Sequence, residues 1–247
     1  MGVGFAVNSS ASDPRYDAIA MSGLLTYNMT TQKITNSTVG ISTKGIEQMG
    51  GLHWVGNFGS KGILVGYGGD QVGLRQPGFD ALLSFNTVQV YDIEGQKWYE
   101  QTVTGNIPEA RKDFCTTGVV SNNKTYEIFL YAGWNGNLGS TAVPFDEAYV
   151  LTLPGFHWFK ADYAAIDPRH GLSCSPVGGG QILTVGGLNT SQNGPDDLYK
   201  DVFNTADQFT QGLAVFDLNT LSWKSSFSAS QDSYSPAPVV QSFYANR

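Results

Sequence analysis

Charge is scarce in this chain of 247 residues. Asp, Glu, Lys and Arg together make up 14% of it, against roughly 25% in an ordinary soluble domain. Basic residues are the scarcer sign, 14 against 21 acidic, and the formal net charge is -7 with a pI near 4.8. No positive field is available to gather a phosphate backbone, so nucleic acid is a poor candidate partner and no nucleic acid is expected. Histidine occurs three times and cysteine twice, and no H-x-H, H-E-x-x-H, G-x-S-x-G or P-loop pattern is present. Long apolar runs are also missing: none approaches the roughly 18 to 20 residues that cross a bilayer. The opening MGVGFAVNSS has neither the basic start nor the full apolar stretch of a signal peptide, so the sequence as given reads as soluble and untargeted.

What is abundant points to strands and turns. Glycine occurs 30 times, aromatics form 13% and hydrophobic residues 41%, enough for a packed core and against disorder. The decisive feature is repetition. A large apolar residue is followed seven positions later by Trp in VYDIEGQKW (Tyr91, Trp98), VLTLPGFHW (Leu151, Trp158) and VFDLNTLSW (Phe216, Trp223). A degenerate copy is TYNMTTQKI (Tyr27, Ile34), and the spacings between successive copies are 64, 60 and 65 residues. In phase with these, a short apolar strand ends in glycine at Gly68 and Gly69, at Gly133 followed by Trp134, and at Gly186 and Gly187. Upstream of each lies a third element, PEARKDFC (Arg111, Cys115) and DPRHGLSC (Arg169, Cys174), with a weaker relative in MGGLHWVG (His53, Trp54). Each unit reads as a four-stranded meander: FCTTGVV, IFLYAG, TVQVYDI and KWYEQT stand for its successive strands. The glycine pair suits a sharp exit from the second strand.

A glycine doublet closing a strand, followed by a Tyr-x6-Trp hairpin, resembles the kelch repeat. The resemblance implies an all-β fold, a β-propeller with one four-stranded antiparallel blade per repeat. It covers nearly all of residues 20–228 and is most similar to the extracellular or membrane-anchored kelch proteins of filamentous fungi. The sequence departs from the pattern where Gly133-Trp134 replaces the doublet, where Ile34 and Leu151 replace aromatics, and in unit length, about 50 residues being usual. The single propeller domain, residues 1–247, would comprise blades over about 46–104, 112–162 and 169–227, a partial blade over 20–38 and a terminal strand over 238–244. Either that last strand joins the N-terminal strands in a composite fourth blade, or the chain is a fragment of a larger ring. The fragment is favoured, because neither end supplies a glycine-closed strand, and its open edges would invite self-association.

In a meander the connections from second to third strands share one end with the connections between blades. That end collects the long insertions at 70–85, 135–145 and 189–211, and loops on a rigid scaffold are where binding concentrates. The candidate contacts there are Arg75, Phe79, Trp134, Asn135, Asp196, Asp197 and Tyr199, with Arg111 and Arg169 at the channel mouth; Trp, Tyr and Arg are the usual anchors. Two readings of the recurring arginines stand: partner contact, or holding one blade to the next. Trp98, Trp158 and Trp223 are assigned to packing. The acidic run Asp196, Asp197, Asp201 and Asp207 lacks the spacing of a calcium loop and reads as a solvated insertion.

Cys115 and Cys174 sit at matching places on adjacent first strands, and both a disulfide between blades and two buried thiols are open readings. Asn8, Asn28, Asn36, Asn123 and Asn189 each begin an N-x-S/T sequon and are glycosylation candidates that suggest a secretory history. The resemblance implies a non-enzymatic scaffold, outside the cell or on its surface, that binds a protein or glycan partner, with no cofactor and no metal. The alternative is a remnant of a carbohydrate-active oxidase of the galactose oxidase type. That chemistry needs two histidine ligands and tyrosines at one metal; His157 beside an outer-strand Trp points away from the axis, which leaves His53 and His170.

Overall fold

A computed structural model describes residues 5–7, 18–20, 23–37, 46–72, 81–191, 206–229 and 233–246. Near the N-terminus β1 (Phe5–Val7) pairs with β2 (Ala18–Ala20), and β3 (Leu24–Asn28) with β4 (Lys33–Ser37). After β5 (Ile46–Gln48) come β6 (Gly51–Val55), β7 (Ile63–Tyr67), β8 (Asp70–Val72), β9 (Thr87–Asp92) and β10 (Lys97–Thr102). Strands β6, β7, β9 and β10 form the first four-stranded antiparallel blade, while β5 pairs with β8 at its end. The short β11 (Thr104–Gly105) then precedes the second blade, β12 (Cys115–Val120), β13 (Tyr126–Tyr131), β14 (Ala148–Leu153) and β15 (His157–Lys160), and lies parallel along its outer strand. The third blade is β16 (Ser173–Gly178), β17 (Gln181–Val185), β18 (Leu213–Asp217) and β19 (Ser222–Lys224). The fold is therefore all-β, built of propeller-type blades, as the meander pattern requires.

Registers in the blades superimpose. Trp98 lies directly opposite Tyr91, Trp158 opposite Leu151 and Trp223 opposite Phe216, and Ile34 takes the same place opposite Tyr27 in the β3–β4 hairpin. Because side chains alternate along a strand, each blade has one face toward the blade before it and one toward the blade after it. Between the first and second blades Val65, Tyr67, Phe85 and Val88 meet Ile128, Leu130, Leu151 and Trp158. Phe129, Tyr131 and Val150 on the other face of the second blade meet Ile182, Phe216 and Trp223 of the third. Each such side chain contributes about 1.5 to 3 kcal/mol on burial, so the faces between blades, not the hairpins, hold the fold.

The repeated glycine element is in fact Ala132-Gly133 in the second blade. By register Ala132 stands where Gly68 and Gly186 stand, and Trp134 aligns with Asp70 and Leu188. Gly68, Ala132 and Gly186 all have positive φ, 62°, 65° and 72°, so the left-handed turn is kept and Ala132 bears its strain. The amide of the following glycine then reaches the next blade: Gly69 N–H donates to Arg111 O at 3.0 Å and Gly133 N–H to Arg169 O at 2.8 Å. A second relay runs from Asp113 N–H to Met49 O at 3.2 Å and from Gly171 N–H to Asp113 O at 2.9 Å.

Cys115 and Cys174 are paired as a disulfide between β12 and β16, their Cα atoms 5.5 Å apart, inside the disulfide range. Their positions are not equivalent. Cys115 pairs with Tyr131 but Cys174 with Thr184, one step further along. Side chains at identical positions point the same way around the stack and cannot meet; a one-residue offset turns them toward each other.

The terminal strand expected over 238–244 is instead a helix, α1 (Pro238–Ala245), so it cannot complete a fourth blade. Pro238 at its first position suits a helix start, and Val240, Phe243 and Tyr244 recur at three and four residues, a helical stripe. Val240 and Phe243 pack with Phe159, and the Tyr244 hydroxyl bonds Thr152 and the amide of Gly155. Among the described residues no helix is long and apolar enough to cross a membrane.

Replacing Gly133, whose φ is +124°, with Ala would put a methyl 2.8 Å from Arg111 Cδ. Strain of this kind costs about 1 to 3 kcal/mol, and urea unfolding of Gly133→Ala should show a loss of that size.

Candidate binding face

The meanders bring the starts of the first and third strands and the ends of the second and fourth to one end of the stack. Arg111 enters the second blade there, fully buried. Its guanidinium donates to Ala132 O at 3.4 Å and to Glu147 Oε2 at 3.0 Å, its Nε donates to Glu109 O at 3.0 Å, and its carbon lies 3.9 Å over the Phe145 ring. Arg169 repeats the arrangement in the third blade. It is 2% exposed and donates to Gly186 O at 3.4 Å, Asp207 Oδ2 at 2.6 Å and Asp167 Oδ2 at 3.2 Å. Ala132 and Gly186 are equivalent, so each side chain clamps the left-handed turn of its own blade while its backbone carbonyl serves the blade before. Neither guanidinium is open to a partner, which corrects the contact reading of Arg111 and Arg169: their charges are spent on buried carbonyls and carboxylates.

Around Arg111 the structure opens a cleft of about 480 Å³ between the two connections that flank the second blade. Val143, Pro144, Phe145 and Ile107 give it an apolar wall, and Glu109 and Lys160 stand at its rim. Glu147 at its base accepts from Lys160 Nζ at 2.5 Å, Arg111 at 3.0 Å and Tyr149 Oη at 2.8 Å. Burial pushes its carboxyl up, but these donors outweigh that and hold it below the usual carboxylate range. Burial and the neighbouring Glu147 push the Tyr149 phenol up. The floor is thus an ionised carboxylate already paired, and the open chemistry is at the rim.

A second group spans the blade junctions nearer the first strands. Lys112 Nζ bonds buried Asp70 at 2.5 Å and lies 5.6 Å over Trp134, which stacks on His170 with ring centres 5.1 Å apart. His170 Nδ1 is 3.8 Å from an Asp113 carboxylate oxygen, and both its ring nitrogens are buried without a hydrogen bond. Burial pulls its pKa down, with Asp113 opposing.

Of the contacts expected at this end, Trp134 and Asn135 are both half-buried, and neither lines the cleft. Trp134 donates to Asn137 O at 2.8 Å, and Asn135 Oδ1 caps the Asn137 amide. Arg75, Phe79, Asp196, Asp197 and Tyr199 lie outside the described residues. Glu109, Lys112, Glu147 and Lys160 were missed, because none recurs at matching positions in the other blades; only the place of Lys112 and His170 beside the recurring arginines gave a signal.

The three histidines are apart in role. His53 Nε2 is 2.9 Å from Thr116 Oγ1, His170 stacks on Trp134, and His157 lies 4.3 Å from the Phe243 ring centre at the outer edge. Among the described residues no three His, Cys, Asp or Glu side chains gather as a metal would need. Of the sequons, Asn36 and Asn123 are exposed, and Asn28 is exposed but caps the Thr30 and Thr31 amides at 3.0 and 2.9 Å. The Asn189 amide nitrogen is taken by Asp167, and Asn8 lies outside the described residues.

No family model matches the sequence. The chain is similar to a "Kelch repeat-containing protein" of Arthroderma benhamiae, 27% identical over 185 residues that cover 73% of this chain. The matched stretch spans 24% of that protein's length. The likeness bears on the repeat architecture found above.

Two outcomes test the site's electrostatics. Arg111→Ala should cost about 3 to 5 kcal/mol in urea unfolding by emptying a buried site and leaving the Ala132 and Glu109 carbonyls unmet, whereas Lys160→Ala, at a side chain 38% exposed, should cost under about 1 kcal/mol. His53 is pushed down by burial to about 4, so the unfolded chain binds its proton first. Stability from this group is whole above about pH 6.5 and falls as pH drops toward 4, by about 2 to 3 kcal/mol. The difference between wild type and His53→Gln across a pH series should show that slope.

Proposed function

We propose that the chain is a non-enzymatic kelch-type scaffold that binds a protein or glycan partner at the end of the blades where the long connections gather. The observation that carries this reading is the cleft of about 480 Å³ beside the second blade, apolar along Val143, Pro144 and Phe145 and charged at Glu109 and Lys160. The cleft is concave, and polar groups at least as prominent as its apolar wall are available to fix a ligand's orientation. The buried, fully engaged Arg111 and Glu147 supply rigidity beneath it. A rigid floor lowers the ordering cost of binding at the rim.

The architecture supports the same assignment. Propeller folds host catalysts and scaffolds alike, so the function must be argued from the site. At this site the ionisable side chains are consumed in pairs, Arg111 with Glu147 and Lys112 with Asp70. In the cleft the Tyr149 hydroxyl and Lys160 both donate to Glu147, a carboxylate that Arg111 holds as well, so these groups are engaged with one another. The oxidase reading would require a metal held near His53 or His170, and elemental analysis of the purified protein tests it directly. Stoichiometric copper or iron would overturn the scaffold.

The positive test is selection of ligands from a glycan array and from a displayed peptide library. Ligands bound by the wild type should lose about tenfold or more in affinity with Glu109→Lys or Lys160→Glu. They should be unaffected by Lys124→Ala at the opposite end. Equal loss with Lys124→Ala would place binding elsewhere.

A further inference from the structure

Among the described residues four acids are buried: Asp70, Glu127, Asp146 and Asp217. Three of them meet groups that support a negative charge. Asp70 bonds Lys112 at 2.5 Å, Asp217 stands 3.8 Å from Lys224, and Asp146 accepts the Ile166 and Asp167 amides at 2.9 Å each. Glu127, fully buried on β13, is met differently. Its Oε1 accepts from the Thr152 hydroxyl at 2.9 Å, and its Oε2 is buried without a hydrogen bond. A carboxylate withdrawn from water with so little in return is costly, and such a group keeps its proton.

The other blades show what this position asks for. Glu127 lies opposite Thr152, one step from the Leu151–Trp158 pair, and in the third blade the same place is held by Gln181, opposite Asp217 and one step from the Phe216–Trp223 pair. In the first blade it is held by Ile63. Both are uncharged. The Gln181 amide also works in two directions, since its Nε2 donates to Ser228 O at 2.9 Å and its Oε1 accepts the Ser228 N–H at 2.8 Å. A carboxyl group has a donor and an acceptor together only when protonated.

The C-terminal segment closes over this carboxyl. Tyr244 Oη accepts the Gly155 amide at 3.0 Å, so its own proton goes to Thr152 Oγ1, 3.0 Å away, and the Thr152 proton goes to Glu127. Tyr234 adjoins Glu127, and its carbonyl is fixed by the Asn122 amide at 3.0 Å. The other groups on this side are Thr125 of the β12–β13 turn, Asp217 behind Tyr234 with Lys224 beyond it, and His157, which pairs with Thr152 from β15. Burial pushes the Glu127 carboxyl up, with the Thr125, Thr152 and Tyr234 hydroxyls opposing. Thr125 and Tyr244 also line a cavity of about 730 Å³ against α1, so a segment that lifts there opens Glu127 to water.

We propose that Glu127 is a proton-operated catch for the C-terminal segment, residues 233–246. With its proton on, the carboxyl suits its dry seat and the segment closes over it; ionised, it draws water and the segment lifts from the second blade. The proton is held more tightly in the closed form than in the open one. Closure is therefore complete below about pH 4.3, the ordinary value of a glutamate, and is lost as pH rises through the raised value of the closed form.

Hydrogen exchange of the full chain, corrected for the intrinsic effect of pH, tests this. Between pH 4 and pH 8 the protection of residues 233–246 in the wild type should fall by about tenfold or more relative to Glu127→Gln, whose amide cannot ionise. The amides of β9 in the first blade should show no such difference. His157 also faces the helix, 4.3 Å from the Phe243 ring centre, and the pH response should survive in His157→Gln. The wild type gives a second reading without any variant: the side-chain carbon of Glu127 should titrate, by NMR, with a midpoint clearly above 4.3. A midpoint at or below that value overturns the proposal. So does equal pH dependence in wild type and Glu127→Gln, loss of the response in His157→Gln, or a change of the same size at β9, which would mean that the whole chain opens and not the segment.

Discussion

Each blade is tied to its predecessor by a backbone amide that only a left-handed turn can aim. Gly69 and Gly133 direct their N–H groups across the gap to Arg111 O and Arg169 O because the residue before each has turned the chain out of its strand. The arginine side chains hold that turn from within by bonding the carbonyl at its apex, Ala132 O or Gly186 O. A buried guanidinium is costly unless acceptors are placed around it; Arg111 meets them with Nε and both terminal nitrogens, and Arg169 with its terminal nitrogens, its Nε being buried without a partner. The repeated Arg of the sequence is thus one element of a joint, used twice: backbone outward, side chain inward.

That joint explains what the binding end can and cannot offer. The strongest charges at the loop end are used up in the joints, so the cleft beside the second blade presents a neutralised base and a sparsely charged rim. Such a surface selects by shape and a few polar contacts. The general shortage of charge, 14% of residues, has the same consequence: long-range steering contributes little, and recognition must come from contact.

Much of the fold was legible because a repeat gives three chances to see each rule. The Trp positions, the hairpins that carry them and the strand before each glycine were readable as soon as the spacing was noticed. The turn at Ala132 was misplaced by one residue, since composition favours glycine where geometry needs only positive φ. The offset of the two cysteines was invisible because it depends on which face each side chain takes, which the partner strands decide. Residues 238–244 read as a strand because Val239 and Val240 favour one, while the helix follows from Pro238 and from the apolar stripe that meets Phe159. In the site, recurrence misled in the other direction: Arg111 and Arg169 recur because they are architectural, and Glu109, Glu147 and Lys160 occur once and left no periodic trace.

The helix after the third blade has a mechanical meaning. It runs back under the second blade, where Tyr244 grips Thr152 and Gly155, Phe243 lies on His157, and the Asn122 amide holds Tyr234 O at 3.0 Å. The helix thus adds a tie to the second blade, the one with a neighbour on both sides. Because Ser235 N–H also donates to Asn219 Oδ1 of the third blade at 3.1 Å, the segment fastens the last blade to the one before it.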